Sequence, residues 1–375
     1  MYKRQPLLST PYGIKSRPSI SDDGSIIVFV GNDKKIHMVS DWNSGNIKDN
    51  IIQDQPIWRN VVIAKDGSLI GALTDEKDSK INIYSVQLKK WKEFQLINPT
   101  SAQGVELGNV NYADAMEFDY SGEWIMYDCE NEVGNNIKYW DIGFINIWNN
   151  ATSNFAEGRT NKLFSGLSNN ISIGNPTFSK ISPYIIAFDY LEGDKYSCVG
   201  ANIETGKASV IYENTKLNYP TYSNDDKHVL FEYTNESSEK YIGQVDVDIT
   251  KINPVANSAK YFSNYYKLKW PIWFSDGTRK LTAGSNDLSI FTGVSNTLLY
   301  PNPVSKGILS IKTEDFDSKA KVDIYTILGN KVISKDADFK NKSEEINICS
   351  LDKGNYILRI NDGKKSFVGK FVVVK

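Results

Sequence analysis

The stretch Trp270-Pro271-Ile272-Trp273-Phe274-Ser275-Asp276-Gly277 decides how the chain is read, because the same phrase recurs five times upstream in the same register. Clean copies are Arg17-Pro18-Ser19-Ile20-Ser21-Asp22-Asp23-Gly24, Asn175-Pro176-Thr177-Phe178-Ser179-Lys180-Ile181-Ser182 and Tyr219-Pro220-Thr221-Tyr222-Ser223-Asn224-Asp225-Asp226. In all four the Pro stands six residues before the turn position. Two further copies, Val61 to Gly67 and Met116 to Gly122, lack the Pro and keep the Gly and the apolar spacing. Pro is tolerated at the first residue of a strand, where its missing N–H and fixed φ do no harm. Asp-Gly then makes a tight turn, since Gly accepts φ > 0 and Asp bonds its own backbone.

A β-rich run follows each turn: Ile26 to Val30, Leu69 to Leu73, Trp124 to Tyr127, Ile185 to Phe188, Val229 to Phe231 and Arg279 to Ala283. Third runs follow in most units, as in Lys35 to Val39, Ile81 to Ser85, Ile142 to Trp148, Tyr196 to Ile203 and Tyr241 to Ile249. The turn positions fall at 24, 67, 122, 182, 226 and 277, in steps of 43, 55, 60, 44 and 51. A period of that length filled with strands is the signature of propeller blades. The expected fold is all-β, a six-bladed propeller. The two long steps predict insertions at Asn98 to Ala113 and Asn149 to Gly174, rich in Asn, Ser and Gly as surface loops are.

The phrase Pro-x-(aromatic or apolar)-Ser-x-Asp-Gly followed by an apolar strand resembles the blades of TolB-like, WD-repeat-like propellers. The resemblance runs from Ser16 to about Thr292 and is best at Pro18 to Gly24 and Pro271 to Gly277. It implies a ring of six blades, closed by pairing Leu7 to Ile14 with the last one. Met1 to Gln5 read as adapter-derived sequence of the kind found at the ends of metagenomic gene fragments and are set aside, so the native protein is expected to extend upstream. The propeller is expected over residues 6–292, with a linker over 293–298.

A new pattern begins at Leu299-Tyr300-Pro301-Asn302-Pro303-Val304. Short alternating runs follow at Ile308 to Ile311, Val322 to Tyr325, Ile346 to Leu351, Gly354 to Ile360 and Phe367 to Val374, with Asn361-Asp362-Gly363 as a hairpin turn. Strands at this spacing predict a small antiparallel, Ig-like sandwich. The block from 299 to 375 resembles the type A C-terminal sorting domain of the type IX secretion system. The features that carry the resemblance are Tyr300, Pro301, Asn302 and Pro303, then Gly329, Gly354, Tyr356 and the terminal Lys375. It implies a Bacteroidetes source, recognition by the type IX secretion machinery, and a secreted or outer-surface product that would need a signal peptide not present in this chain.

Composition is compatible with this reading. Hydrophobic residues make up 40% and aromatic residues 12%, which suits β structure and speaks against disorder. A net charge of −2 gives no general affinity for nucleic acid or anionic membrane. No apolar run reaches the roughly 20 residues of a transmembrane helix. Cys129, Cys198 and Cys349 are too few and too far apart for a disulfide framework or zinc site, and the first two read as small buried side chains.

Chemistry is sparse. His37 and His228 read as partly exposed strand residues, and no nucleophile elbow, Walker loop or HExxH occurs. No catalytic or cofactor-binding residue and no cofactor is therefore assigned. The candidates are carboxylates: Asp128 and Glu232 lie six residues after the turn position, and Asp189 lies seven after. Three acids from three blades could converge on a metal ion or act as an acid/base pair. The competing reading makes them strand-end residues that face solvent or pair with Lys and Arg. Acids of the turns, such as Asp22, Asp23, Asp66 and Asp276, are needed for turn chemistry. The aromatics Tyr265, Tyr266, Trp270 and Trp273 could hold a sugar or peptide, or could fill the space between blades. The expected function is a secreted or surface-attached binding or scaffold propeller with an unknown protein, peptide or glycan ligand. The alternatives are an accessory propeller of a truncated secreted enzyme, peptidase or glycan-active, or a propeller enzyme with an acidic channel site.

Overall fold

The computed structural model describes residues 13–41, 47–98, 110–133, 137–163, 171–263, 269–272, 297–302, 304–326, 331–362 and 366–374. The chain divides into two compact units, one of Met1–Ala201 with Ser209–Gly284, the other of Asn202–Ala208 with Ser285–Lys375.

The first unit contains five four-stranded antiparallel sheets that follow one another along the chain. Sheet I consists of Ser19–Ile20, Ile26–Val30, Ile36–Ser40 and Lys48–Gln53, and sheet II of Trp58–Ile63, Leu69–Thr74, Lys80–Ser85 and Lys90–Gln95. Sheet III consists of Tyr112–Phe118, Trp124–Val133, Ile137–Asn146 and Thr160–Lys162. Sheet IV takes Ile171–Phe178, Ile185–Glu192, Lys195–Asn202 and Lys207–Asn214, and sheet V takes Thr221–Tyr222, His228–Thr234, Lys240–Asp246 and Lys260–Ser263. In each, the strands pair in chain order as a meander. The second strands are the most buried, as in Leu69–Leu73 and Ile185–Asp189, because they are covered on both faces. The fourth strands are largely exposed, Lys48–Gln53 and Lys207–Asn214 among them.

What binds sheet to sheet is apolar packing between their faces. Val28, Val30 and Ile36 of sheet I pack with Val61, Ile63, Ile70 and Ala72 of sheet II. Val62, Leu73, Ile83 and Phe94 of sheet II pack with Phe118, Ile125, Tyr127 and Ile145 of sheet III. Ile185, Ala187 and Ile211 of sheet IV meet Val229, Phe231 and Val245 of sheet V. Gly143 shows how close this packing is: it pairs across from Tyr127, and a Cβ there would lie 2.7 Å from the Tyr127 ring.

The turns take the form that the repeated phrase predicts. Gly24, Gly67 and Gly122 have φ of 70°, 76° and 70°. The preceding Asp ties the turn down, as where Asp23 Oδ1 accepts the Ser25 N–H at 2.9 Å and Asp66 Oδ1 accepts that of Ser68 at 2.9 Å. Asp226 adopts the same left-handed conformation with φ of 55°. Asp276 and Gly277, with the run Arg279 to Ala283, lie outside the described residues.

Two expectations are corrected. Asn149 to Gly174 is not one loop: it holds half of the hairpin Trp148–Asn149/Asn154–Phe155, then the fourth strand of sheet III and the start of sheet IV. The long step reflects a longer sheet, since Trp124–Val133 and Ile137–Asn146 are ten residues each. Ile14 forms an antiparallel bridge to Gly31, just past the second strand of sheet I; Leu7 to Tyr12 and residues 273–296, on which the expected ring closure depends, lie outside the described residues. His37 is buried, not partly exposed.

The second unit is an antiparallel sandwich. One sheet orders Thr297–Tyr300, Ile308–Thr313 and Ser343–Asn347, and the other orders Lys331–Asp338, Lys319–Thr326, Gly354–Asn361 and Ser366–Val373. The inward residues of both, including Leu309, Ile311, Val322, Ile324, Ile346, Leu358, Ile360 and Phe371, form a single core.

Candidate functional site

The first strands of the five sheets border one cavity of about 240 Å³. Sheet I and the residues leading into it contribute Arg17 to Ile20, sheet II Arg59, Asn60 and Val62, and sheet III Asp114 to Glu117. Sheets IV and V add Asn175, Thr177, Tyr219 and Thr221, and the sixth copy of the phrase adds Trp270 and Ile272. Successive sheets whose first strands surround one space are arranged about an axis, and the cavity lies on it. The cavity is therefore the centre of a propeller.

Asp128, Asp189 and Glu232 approach this centre, but each is committed to the backbone of the next sheet. Asp128 accepts the N–H of Ala115 at 2.6 Å within its own sheet and the N–H of Asn175 in sheet IV at 2.8 Å. Asp189 accepts the N–H groups of Asn218 at 2.7 Å and Tyr219 at 3.1 Å, leading into sheet V, and the side-chain amide of Asn218 at 2.8 Å. Glu232 accepts the N–H of Trp270 at 2.7 Å. Asn175, Tyr219 and Trp270 all precede a proline and all have left-handed φ, of 49°, 47° and 53°. That conformation costs a non-glycine residue about 1–2 kcal/mol, and the carboxylate of the preceding repeat holds it. Among the described residues no group of three or more His, Cys, Asp or Glu is placed to hold a metal ion. Backbone donors take the lone pairs that a cation would need. Burial pushes the carboxyl of Asp128 up to about 7 and that of Asp189 up to about 6, against the N–H bonds that favour their ionised forms.

The cavity wall is instead rich in cations. Lys15, Arg17, Arg59, Lys65 and Lys180 line it against Asp22, Asp114 and Glu117. Glu117 serves two lysines: Lys65 Nζ lies 2.8 Å and Lys180 Nζ 3.7 Å from its Oε1, while its Oε2 accepts the N–H of Phe178 at 3.1 Å. Although burial opposes it, these two charges hold the Glu117 carboxyl well below the usual range. Arg59 reaches from sheet II to sheet III, with Nη1 2.7 Å from Asp114 and Nη2 donating to the Ala113 carbonyl. Arg17 lies deep among the first strands, where Nη2 donates to the Pro220 carbonyl at 3.0 Å. Burial lowers its pKa, and the surrounding Glu117, Asp189 and Glu232 counter that effect.

Sequence reasoning passed over these cations, because lysines and arginines beside strands read as solvent-facing. The hydroxyl of Ser19 and the Asp226 carboxylate were missed as well. Ser19 accepts the Ile63 N–H at 3.1 Å, and Asp226 accepts the Ile181 N–H at 3.1 Å and Lys251 Nζ at 2.9 Å. His37 Nδ1 is 3.0 Å from Asp49 and Nε2 3.2 Å from Asp33, with the ring stacked on Phe29, so two acids and a ring enclose it. His228 Nδ1 lies 2.7 Å from Asp246 in sheet V, and the two histidines stay in separate sheets. Cys129 and Cys198 are buried, Cys349 is exposed, and burial pushes the first two thiols up. Trp270 lines the cavity, whereas Tyr265, Tyr266 and Trp273 lie outside the described residues.

In the second unit, Tyr300 ends a strand, 41% exposed, and is followed by Pro301. Asn302 Oδ1 accepts the Val372 N–H at 2.9 Å, which ties the start of the domain to its last strand. Gly354 opens its strand opposite Val373, and Tyr356 is buried against Phe371, its hydroxyl donating to the Asp352 carbonyl at 3.0 Å. Pro303, Gly329 and Lys375 lie outside the described residues. No helix among the described residues is long and apolar enough to cross a membrane.

The family model described as the secretion system C-terminal sorting domain matches residues 298–374. No curated protein matches the sequence. Among solved structures the chain is similar to a putative TolB from Agrobacterium tumefaciens, at 12% identity over 68% of this chain and 82% of that one, with a TM-score of 0.48. TolB from Acinetobacter baumannii is similar at 15% identity over 68% of this chain and 57% of that one, with a TM-score of 0.47. One of two prolyl endopeptidases analysed for inter-domain dynamics is similar at 11% identity over 96% of this chain and 50% of that one, with a TM-score of 0.43. Behind its all-β propeller, the chain thus carries at residues 298–374 the C-terminal sorting domain through which type IX secretion machinery recognises its cargo.

Proposed function

We propose that the protein is displayed at or released from the outer cell surface and works there as a binding propeller, with its ligand in the central cavity. The observation that carries this reading is the cavity itself, bordered by the first strands of sheets I to V and by Trp270 and Ile272 of the next repeat. Binding sites collect where several elements present polar groups around a concave space. The reading as an enzyme with an acidic channel is less well supported, because Asp128 and Asp189 are buried and taken up by backbone N–H groups. Six repeats are part of the proposal, and the bond from Trp270 to Glu232 supports them by continuing the pattern of sheets III to V into the sixth phrase.

The test is to express the chain, fused behind a cleavable secretory signal peptide, in a type IX-competent host with and without residues 299–375. The expected result is surface or medium localisation of the full chain and periplasmic retention of a folded, truncated propeller. Export of the truncated form at the normal level would refute the role of the sorting domain. For the binding part, filling the cavity with Thr221→Trp should abolish ligand capture by the exported protein; undiminished capture would place the ligand elsewhere.

A further inference from the structure

Among the described residues, the cavity wall carries one donor that is only partly used and one side-chain donor that is not used at all. Arg17 has five N–H groups, and among the described residues it makes one hydrogen bond, to the Pro220 carbonyl. Arg59 on the same wall shows the contrast, since its Nε donates to Thr74, its Nη1 to Asp114 and its Nη2 to Ala113. The second donor is Tyr219, next in the chain to Pro220. Its backbone N–H is held by Asp189, and its hydroxyl has no hydrogen-bond partner among the described residues. Burial pushes that phenol up to about 12, so it is a neutral donor at physiological pH. Both residues are half-buried on the cavity wall, so their free N–H and O–H groups face the space that a ligand would enter.

Charge and shape narrow what could satisfy them. Five cationic residues against three acidic ones line the space, which favours a negative guest. Glu117, Asp189 and Glu232 already act on Arg17, so the field at its guanidinium suits one negative charge better than two. Trp270, Ile272, Ile20 and Met116 give the same cavity an apolar side. At about 240 Å³ the cavity has room for a small organic molecule.

Resting on the reading of the cavity as a binding site, we propose that its ligand is a small organic carboxylate. The carboxylate is received by the Arg17 guanidinium and the Tyr219 hydroxyl, and the apolar body lies against Trp270 and Ile272. A planar guanidinium fork matches a carboxylate in two parallel bonds, and a neutral phenol adds a third without adding charge.

The test is calorimetric titration of the full chain with phenylacetate, its uncharged analogue phenylacetamide, and inorganic phosphate, repeated on Arg17→Met and Tyr219→Phe. Expected is saturable binding of phenylacetate, weakened at least about tenfold in the amide and in Arg17→Met, and about threefold or more in Tyr219→Phe. Should Arg17→Met fail to fold, the acid-to-amide comparison and Tyr219→Phe still decide. Equal binding of phenylacetamide, indifferent to both substitutions, would overturn the carboxylate assignment and leave the binding reading standing. Phosphate binding as tightly as phenylacetate would overturn it too. Absence of saturable binding by all three probes would overturn both the assignment and the placement of a small ligand in the cavity.

Discussion

Asp189, in the middle of the second strand of sheet IV, accepts the backbone N–H of Tyr219, which leads into sheet V, at 3.1 Å. The same relation joins Asp128 to Asn175 and Glu232 to Trp270. Each time, an acid of one sheet holds a left-handed residue immediately before the proline of the next repeat of the phrase. The apolar faces pack the sheets together, and these bonds set where each first strand begins.

Asp189→Ala should therefore destabilise the propeller by about 3 kcal/mol, since it strands two backbone donors and the side-chain amides of Asn175 and Asn218. Urea unfolding should show a lower midpoint at unchanged slope. A loss below about 1 kcal/mol would mean that the bonds do not hold the sheet.

The pH dependence has a definite sign. Burial raises the Asp189 carboxyl to about 6 in the folded protein, above its unfolded value of about 3.9. The folded state then holds the proton longer, so this group's contribution is fully present below about pH 4 and is lost as pH rises through about 6. Glu117 acts in the opposite direction: its folded value is depressed, so its contribution is present above the unfolded value and lost as pH falls. Melting temperature followed against pH should lose part of its decline between about pH 4 and 6 in Asp189→Asn, and part of its acid-side drop in Glu117→Gln. Parallel curves for wild type and both variants would contradict these assignments.

Gly122 isolates the cost of the turn. Its φ is +70°, and a Cβ there would meet nothing within 4 Å. Gly122→Ala should cost about 1 kcal/mol through backbone strain alone. Asp226→Gly should be destabilising at the equivalent position, although glycine suits the φ, because the carboxylate bound to Ile181 and Lys251 is lost. Thermal unfolding that ranks these two substitutions as neutral would show that the turns tolerate more than their geometry suggests.

In the sorting domain, Tyr356→Phe removes only the bond to the Asp352 carbonyl and should cost about 1 kcal/mol. Tyr356→Ala also removes a ring stacked on Phe371, and should cost about 3 kcal/mol or more. Denaturation of the isolated sandwich is unsuitable for this comparison; the second transition of the full chain, followed by calorimetry, is the readout. Equal losses in both variants would mean that the ring packing contributes nothing.

The sequence by itself determined the strands whose pattern is enforced locally. Pro at a strand start, Asp-Gly at a turn and an apolar second strand each impose a backbone conformation within a few residues, so sheets I to V could be counted from their phrases. The fourth strands left no such trace: Lys48–Gln53 and Lys207–Asn214 are polar and largely exposed, and only pairing with the third strand makes them strands. The acids at 128, 189 and 232 were legible as a recurring position, because a repeat preserves register. Their partners were not, since Asn175, Tyr219 and Trp270 become donors to them only when neighbouring sheets stack. The cavity belongs wholly to the tertiary structure. Arg17 and Tyr219 are 202 residues apart in the chain, and only the turning of successive sheets about one axis puts them on the same wall.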